Sequence, residues 1–505
     1  MQSGVSALKQ SSRSGLSTRP KVLFASSEAQ PLIKTGGLAD VAGSLPKALQ
    51  RLGCDIRPIL PGYTAAMDGC HRIRERASLQ ISGTDVRILE ARMSSTEDPL
   101  FLVDAPEHFR RPGNPYVAPD GKDWPDNAER FTTFCRALAR IATGQAELGW
   151  VPDVVHANDW QTGLIAPLIS AAPQRPATLF TIHNLAYQGV FDLATFRRLD
   201  LPKGLWSLAG LEFHGLMSFI KGGIALSDIV TTVSPSYAEE VKTPEYGYGL
   251  EGLLQSLGTR FVGVLNGVDY EIWDPAHDPV IAQPFDRESF HLRVENKLAL
   301  QRELDLHEDR DAMLFGHIGR IVEQKGIDLI LDVLPGIMDH RETQVVILGT
   351  GNPHLERRLR AVASRYAGRV GIFLGYDEPF AHRIEAASDC FLMPSRFEPC
   401  GMNQLFSLRY GAVPIVRQTG GLADTVIDAS AANFAAGRAT GFVFQAATAH
   451  GLWLAVERAV RFWRERRGDW VRLATNGMGQ DFSWEASAKH YLDLYGRAGE
   501  MRGAA

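Results

Sequence analysis

Val22-Leu23-Phe24-Ala25 leads, across a short loop, into Lys34-Thr35-Gly36-Gly37-Leu38-Ala39-Asp40-Val41, after which apolar residues recur at Leu45, Leu49 and Leu52. The unbroken apolar run predicts a buried strand, and the three- and four-residue spacing from Leu38 predicts a helix over 38–52. The order strand, loop, helix then repeats. Val154-Val155 leads into His156, Leu179-Phe180-Thr181-Ile182 into His183, and Ile229-Val230-Thr231-Thr232-Val233 into Ser234. Strands that alternate with helices imply an α/β chain whose parallel sheets are covered on both faces.

Beyond about residue 265 the rhythm restarts, with Met313-Leu314-Phe315, Val345-Val346-Ile347-Leu348, Gly371-Ile372-Phe373-Leu374, Phe391-Leu392-Met393-Pro394 and Val413-Pro414-Ile415-Val416. A polar stretch over 274–311 separates the two series, so the chain reads as two Rossmann-like, doubly wound domains. An internal echo supports that division. Lys34-Thr35-Gly36-Gly37-Leu38-Ala39-Asp40-Val41 returns as Gln418-Thr419-Gly420-Gly421-Leu422-Ala423-Asp424-Thr425, each time between a strand-like and a helix-like run. Trp484, Ala488, Tyr491, Leu492 and Tyr495 have helical spacing and predict a closing helix.

Composition narrows the class. A chain of 505 residues exceeds a single hydrophobic core. Its 45% hydrophobic and 22% charged residues exclude wholesale disorder and coiled coil. With 53 Lys+Arg against 58 Asp+Glu, the net charge of -5 excludes a strongly basic nucleic-acid binder but leaves room for a local basic pocket. Five cysteines, widely spaced and without C-x-x-C, read as free thiols of a reducing, cytoplasmic compartment. The longest apolar run, near Leu164 to Ala172, falls short of the ~20 residues that span a bilayer, so no membrane partner is expected. Residues 1–20 carry six serines and no acid and lack a secretory apolar stretch; they read as a disordered tail, with a short targeting segment as the alternative.

In open α/β sheets, ligands bind beyond the carboxyl ends of the strands. That places weight on Glu28, Lys34, Gly36, Gly37, His156, Asp159, His183, Asn184, Arg320, Lys325, Tyr376, Glu398, Thr419, Gly420 and Gly421. Lys34-Thr35-Gly36-Gly37 is no Walker loop. A glycine pair opening a helix nonetheless offers amides and a helix dipole to an anion; the alternative is a plain turn. Arg320 and Lys325, with Gly326 at a helix start, would neutralise a diphosphate or stand as solvated loop cations. Glu398, in Ser395-Arg396-Phe397-Glu398-Pro399-Cys400-Gly401, would bind a sugar or stabilise positive charge, or else cap a helix near Gly401. His156 and His183 end successive strands and divide evenly between structure and ligand contact. Cys400 reads as a small packed residue, since nothing beside it argues for a lowered thiol pKa. Gly349-Thr350-Gly351 lacks the third glycine of a dinucleotide fingerprint, where His354 stands. Asp309-Arg310-Asp311 precedes a strand and reads as a turn, not a metal motif.

Several segments, in order, resemble bacterial glycogen synthases and plant starch synthases. They are Lys34 to Val41, His156-Ala157-Asn158-Asp159-Trp160, Thr181-Ile182-His183-Asn184-Leu185-Ala186-Tyr187-Gln188-Gly189, Val264-Leu265-Asn266-Gly267-Val268-Asp269, Gly319-Arg320 through Lys325-Gly326, Pro394 to Gly401, and the second Thr-Gly-Gly-Leu-Ala-Asp. The resemblance spans roughly residues 21–497. It implies a GT-B fold, two Rossmann-like domains facing each other across a cleft. Residues 21–265 would form the acceptor-side domain, 266–480 the nucleotide-sugar-binding domain, and 481–505 a helix crossing back to the first. The implied activity moves glucose from ADP-glucose to the 4-OH at the non-reducing end of an α-1,4-glucan, with retention. By the same resemblance, Arg320 and Lys325 hold the diphosphate, Lys34 and the amides near Gly37 assist, Glu398 contacts the donor glucose, and Asp159 and His183 bind sugar hydroxyls. Tyr376 stacks on the nucleobase and Tyr116 contributes at the cleft mouth. Gly36, Gly37, Asp40, Asn184, Asn266, Cys400, Gly401, Thr419, Gly420 and Gly421 complete the implied substrate-binding set.

Retention requires a covalent nucleophile or front-face attack. The E-x7-E spacing of related retaining transferases falls on Phe406, and this family generally lacks that glutamate. The resemblance therefore implies a front-face path in which the leaving phosphate accepts the acceptor's proton. No metal or other cofactor is expected, since cationic side chains supply the electrostatics and ADP-glucose is a co-substrate. Asn158 stands where many members have histidine, and Asn403 where threonine is frequent. Two other classes compete: a non-catalytic glucan-binding protein, which would have lost Arg320, Lys325, Lys34 or Glu398, and an NAD-type oxidoreductase, which the broken fingerprint at Gly349 disfavours.

Overall fold

The computed structural model describes residues 19–504, so all but the last two residues of the expected tail over 1–20 lie outside the described residues. The chain forms two compact units. The first takes the described residues through Thr231, Ser256–Phe261 and the stretch from Ala488; the second takes Thr232–Gln255 and Val262–Ser487.

A nine-stranded sheet organises the first unit, in the order Phe261–Gly263, Ile229–Thr232, Ala177–Ile182, Val154–Asn158, Lys21–Ala25, Asp55–Pro61, Pro99–Asp104, Thr84–Met93, Cys70–Ile81. Lys21–Ala25 lies in its middle, parallel to both neighbours, and every residue after Lys21 is buried. Continuous burial explains why this strand reads as an unbroken apolar run. The following helix, Gly37–Arg51, buries Leu38, Val41, Leu45 and Leu49.

The sheet is not parallel throughout. Cys70–Ile81 and Thr84–Met93 form an antiparallel hairpin on its far edge, joined at Ser82 and Gly83, both with positive φ (54° and 83°). Most of Cys70–Ile81 is exposed or half-buried, so the strand has no apolar run to announce it. Its readable signal is the Ser-Gly turn between two alternating runs. A second departure is a small antiparallel sheet of Val190–Phe191, Leu216–Ser218 and Glu212–Phe213.

The second unit carries a six-stranded, wholly parallel sheet in the order Val370–Leu374, Thr343–Gly349, Met313–Ile318, Cys390–Met393, Val413–Arg417, Phe442–Phe444. Its strands feed two hydrophobic clusters, one on each face. Phe315, Val345, Leu392 and Ile415 enter one; Leu314, Val346, Phe391 and Val416 enter the other. The alternation of neighbours between faces is the period-two geometry of a strand covered on both sides.

Candidate active site

In the first unit, the candidate residues follow the carboxyl ends of the three central strands. Beyond Ala25 comes Glu28, buried, whose carboxylate organises the glycine loop. Oε1 accepts the Thr35 hydroxyl at 2.9 Å and the Tyr116 hydroxyl at 2.9 Å, and Oε2 accepts the amides of Thr35 and Gly36. Burial raises the Glu28 pKa even against those donors. Tyr116, which also shares a 2.7 Å hydrogen bond with Ser27, is thereby tied to the glycine loop. Lys34 donates to Asp40 at 2.8 Å and to Gln30 at 3.2 Å.

The glycine pair opens the helix as expected, with Gly36 as its N-cap in an extended conformation that any residue adopts. A Cβ built on Gly36 or Gly37 meets nothing within 4 Å. Among the described residues neither backbone nor packing calls for glycine here, which leaves the helix start open to close approach.

Asp159 follows the strand Val154–Asn158 and adopts φ 58°, an uncommon conformation for a residue with a side chain. Its Oδ1 accepts the His183 amide at 2.8 Å, so it fixes the backbone at the end of the next strand. Burial raises its pKa to about 7, against the lowering effect of the His183 and Asn184 amides. Asn184 uses its Oδ1 to accept the Ala186 amide at 3.1 Å. The His183 ring, half-buried, meets Asn158 Oδ1 through Nε2 at 2.9 Å, and burial lowers its pKa to about 3.

His156 resolves the other way. It is completely buried, Nδ1 pairs with Tyr495 at 2.8 Å and Nε2 with Thr181 at 2.7 Å, so both nitrogens are consumed by the fold. Of the two strand-end histidines, only His183 is available to a ligand.

In the second unit, Lys325 and Glu398 form an ion pair at 2.6 Å. Ser395 donates to the same Glu398 Oε2 at 2.9 Å. Lys325 precedes Gly326, whose φ of 72° turns the chain into the helix Ile327–Asp339; a Cβ there would fall 2.3 Å from the Pro394 carbonyl oxygen. Arg320, on the same strand-to-helix turn, donates to Gln324 at 2.9 Å, and Gln324 in turn reaches the Phe397 carbonyl. The next helix begins at Asn403 with Met402 as N-cap and no side-chain cap, so Glu398 is not a helix cap. Cys400 is buried, and desolvation pushes its thiol up to about 12, consistent with a packed residue. Gly401 takes φ 72°. Phe406 stacks on Trp273 at 3.8 Å, committing that position to the core.

The second glycine pair differs from the first. Gly420 has φ 43°, and a Cβ there would lie 2.0 Å from the Glu398 carbonyl oxygen; at Gly421 it would lie 2.1 Å from that of Cys400. The Thr419 hydroxyl and Gly420 amide donate to Glu240 at 3.0 and 2.8 Å, and the Gly421 amide donates to the Glu398 carbonyl at 3.1 Å. These glycines are required by packing and hold the 398–400 turn in place. Asn266 is buried, with an Oδ1 that has no hydrogen-bond partner among the described residues. Tyr376 is 72% exposed on the loop after Val370–Leu374, its hydroxyl donating to Glu378 at 2.7 Å.

Sequence reading gave no role to Asn158 on His183, to Glu240 or to Ser395, and it noted Glu28 without a task. Their partners are distant in the chain, so no local spacing reports them. Among the described residues no group of three or more His, Cys, Asp or Glu is arranged to hold a metal, and no helix is long and apolar enough to cross a membrane.

Residues 21–256 match the family described as the starch synthase catalytic domain, and residues 302–474 match glycosyl transferases group 1. A protein of Nitrosococcus oceani named Glycogen synthase 2 is 52% identical over 477 residues, covering 94% of this chain and 96% of its own. Glycogen synthase 1 of Methylococcus capsulatus is 50% identical over 478 residues, with coverage of 95% and 96%. The catalytic domain of starch synthase IV from Arabidopsis thaliana, solved bound to ADP and acarbose, superimposes with a TM-score of 0.86 at 34% identity, covering 96% of this chain and 100% of that one.

Proposed function

This chain belongs to the glycogen and starch synthase family and is a glycogen-forming glycosyltransferase of the GT-B fold; from that premise we propose how its residues carry the reaction. The donor is ADP-glucose and the acceptor the non-reducing 4-OH of an α-1,4-glucan, with the anomeric configuration retained. The observation that carries this reading is the ion pair between Lys325 and Glu398, with Arg320 on the same strand-to-helix turn as Lys325. Two cations and a buried carboxylate suit a substrate that is anionic at its diphosphate and becomes cationic at its sugar. ADP on the Arabidopsis relative supports the choice of nucleotide, and acarbose there supports a glucan acceptor.

In the proposed reaction Arg320 and Lys325 take the diphosphate, and the N-terminus of Ile327–Asp339 adds its dipole. The bond from the anomeric carbon to the phosphate oxygen breaks, and its electron pair goes to the departing ADP. Glu398 faces the oxocarbenium-like sugar. The acceptor hydroxyl attacks on the same face, and its proton passes to the leaving phosphate oxygen. Phe406, stacked in the core, offers no second carboxylate, which supports this path over a covalent glycosyl intermediate. The first unit contributes Lys34 and the uncrowded helix start at Gly36 and Gly37 to phosphate, and His183 to sugar hydroxyls. Asp159 and Asn184 set the backbone that presents His183, and Tyr376 stacks on adenine. We assign residues 21–265 to acceptor binding, 266–480 to the nucleotide sugar and 481–505 to a helix returning to the first domain. Five free cysteines support a cytoplasmic setting.

Incubation with glycogen and labelled ADP-glucose or UDP-glucose tests the reading. Incorporation from ADP-glucose, as α-linked glucose at non-reducing ends, is expected. Inertness with both donors would overturn it.

A further inference from the structure

Asn158 ends the strand Val154–Asn158 and is completely buried. Its side-chain nitrogen donates to the Ala25 carbonyl at 3.0 Å. A carbonyl only accepts, so the amide cannot turn over without setting two oxygens against each other. Its Oδ1 is thereby aimed at His183 Nε2, 2.9 Å away. An amide oxygen also only accepts, so Nε2 must carry the proton. The ring is neutral, because burial holds its pKa near 3, and the lone pair therefore sits on Nδ1. Among the described residues Nδ1 has no hydrogen-bond partner. The titratable neighbours are Asp159, which grips the His183 amide at 2.8 Å, and His156, buried and neutral. Neither supplies an acceptor to Nε2.

The contrast with His156 makes the arrangement specific. Its partners are the hydroxyls of Tyr495 and Thr181, which either donate or accept, so they do not dictate a tautomer. Asn158 does dictate one. We propose that Asn158 is a positioning residue that locks His183 in the Nε2–H tautomer, so that Nδ1 meets ligand as a hydrogen-bond acceptor. His183 then suits a hydroxyl and disfavours a phosphate oxygen, which has no proton to give. The identification of that hydroxyl as a sugar's rests on the proposed transferase reaction; the tautomer does not.

Nitrogen-15 NMR of the full chain labelled at histidine tests the lock, with the His183 signals assigned by their loss in His183→Gln. In the wild type, Nε2 is expected to show the protonated signature and Nδ1 the bare one at neutral pH. Asn158→Leu removes the acceptor and should release the tautomer, populating Nδ1–H. In Asn158→Asp the protonated carboxyl donates its O–H to the Ala25 carbonyl in place of the amide and keeps its other oxygen facing Nε2, which should preserve Nε2–H. In transfer assays the Leu variant should lose roughly 10- to 100-fold in kcat/KM, with the Asp variant retaining most activity. A proton on wild-type Nδ1, an imidazolium, or a folded Leu variant with an unchanged tautomer would overturn the lock. Should the Leu variant fail to fold, the wild-type and Asp spectra still decide. Equal activity losses in the two variants would overturn the role in binding. A wild-type enzyme inert with every nucleotide sugar would instead sink the transferase reading and leave the spectra standing.

Discussion

Replacing Glu398 with glutamine keeps the shape of the side chain and removes its charge. The carboxylate sits 2.6 Å from Lys325 Nζ and 2.9 Å from Ser395 Oγ, and glutamine can still accept from both groups. A unit charge about 4 Å from a positive centre, at an effective dielectric near 20, contributes about 4 kcal/mol. If that much stabilisation is lost only in the transition state, the rate falls about a thousandfold. The oxocarbenium carries only part of a full charge, so kcat should fall 100- to 1,000-fold, roughly what removing one electrostatic stabiliser costs. Folding should weaken by only about 1–2 kcal/mol, because the Lys325 side chain is 22% exposed and solvent screens the charge left behind. ADP should bind as well as before or more tightly, since Lys325 no longer faces a carboxylate. Initial rates against ADP-glucose, calorimetric titration with ADP and a thermal melt separate these effects. A kcat within about threefold of wild type would refute the catalytic role. A loss of ADP affinity matched by a fall in Tm would instead mean that Glu398 serves to hold Lys325.

Gly36→Ala should leave the melt unchanged, since its Cβ meets nothing within 4 Å, and should raise KM for ADP-glucose. Gly420→Ala should lower stability by roughly 1–3 kcal/mol, because its Cβ would strike the Glu398 carbonyl; paired melts and kinetics check both. Asp159 has a folded-state pKa raised to about 7, so its contribution to stability is fully present below the ordinary carboxylate value and is lost as pH rises toward 7. Asp159→Asn should therefore flatten the stability profile across that window, and urea unfolding at pH 4.5 and 7.5 would reveal an unchanged slope if this is wrong. Tyr376→Ala, at a site 72% exposed, should raise KM for ADP-glucose severalfold with Tm unaffected; an unchanged KM would remove it from the base-stacking role.

The parts of the fold legible in the sequence were those with strands buried on both faces. Val345-Val346-Ile347-Leu348 announces Thr343–Gly349 because every residue in that strand is buried. The hairpin Cys70–Ile81 and Thr84–Met93 escaped, because an edge strand with one wet face mixes charge into its pattern. Site residues were legible as positions but not as partnerships. His156 and His183 occupy the same place after neighbouring strands, yet one is consumed by Tyr495, 339 residues away, and the other is not. Glu398 was readable as a carboxylate near a helix start; only its contact with Lys325, 73 residues earlier, separates an ion pair from a cap.

The repeated Thr-Gly-Gly-Leu-Ala-Asp shows why a motif and a duty are different things. In each copy a glutamate from elsewhere in the chain, Glu28 buried and Glu240 half-buried, grips the threonine and first glycine: Glu28 takes the Thr35 hydroxyl and Gly36 amide, and Glu240 takes the Thr419 hydroxyl and Gly420 amide. Burial raises both carboxyl pKa values, so the same anchoring chemistry serves both copies. What the glycines do then diverges. Gly420 and Gly421 have no room for a side chain, because the backbone carrying Glu398 presses on them. Gly36 and Gly37 have room and leave it empty. Glycine that packing requires positions a neighbouring residue; glycine that packing does not require keeps space for something outside the chain. On that ground the first copy is the one open to close approach from outside the chain, and the second is committed to the turn that holds Glu398.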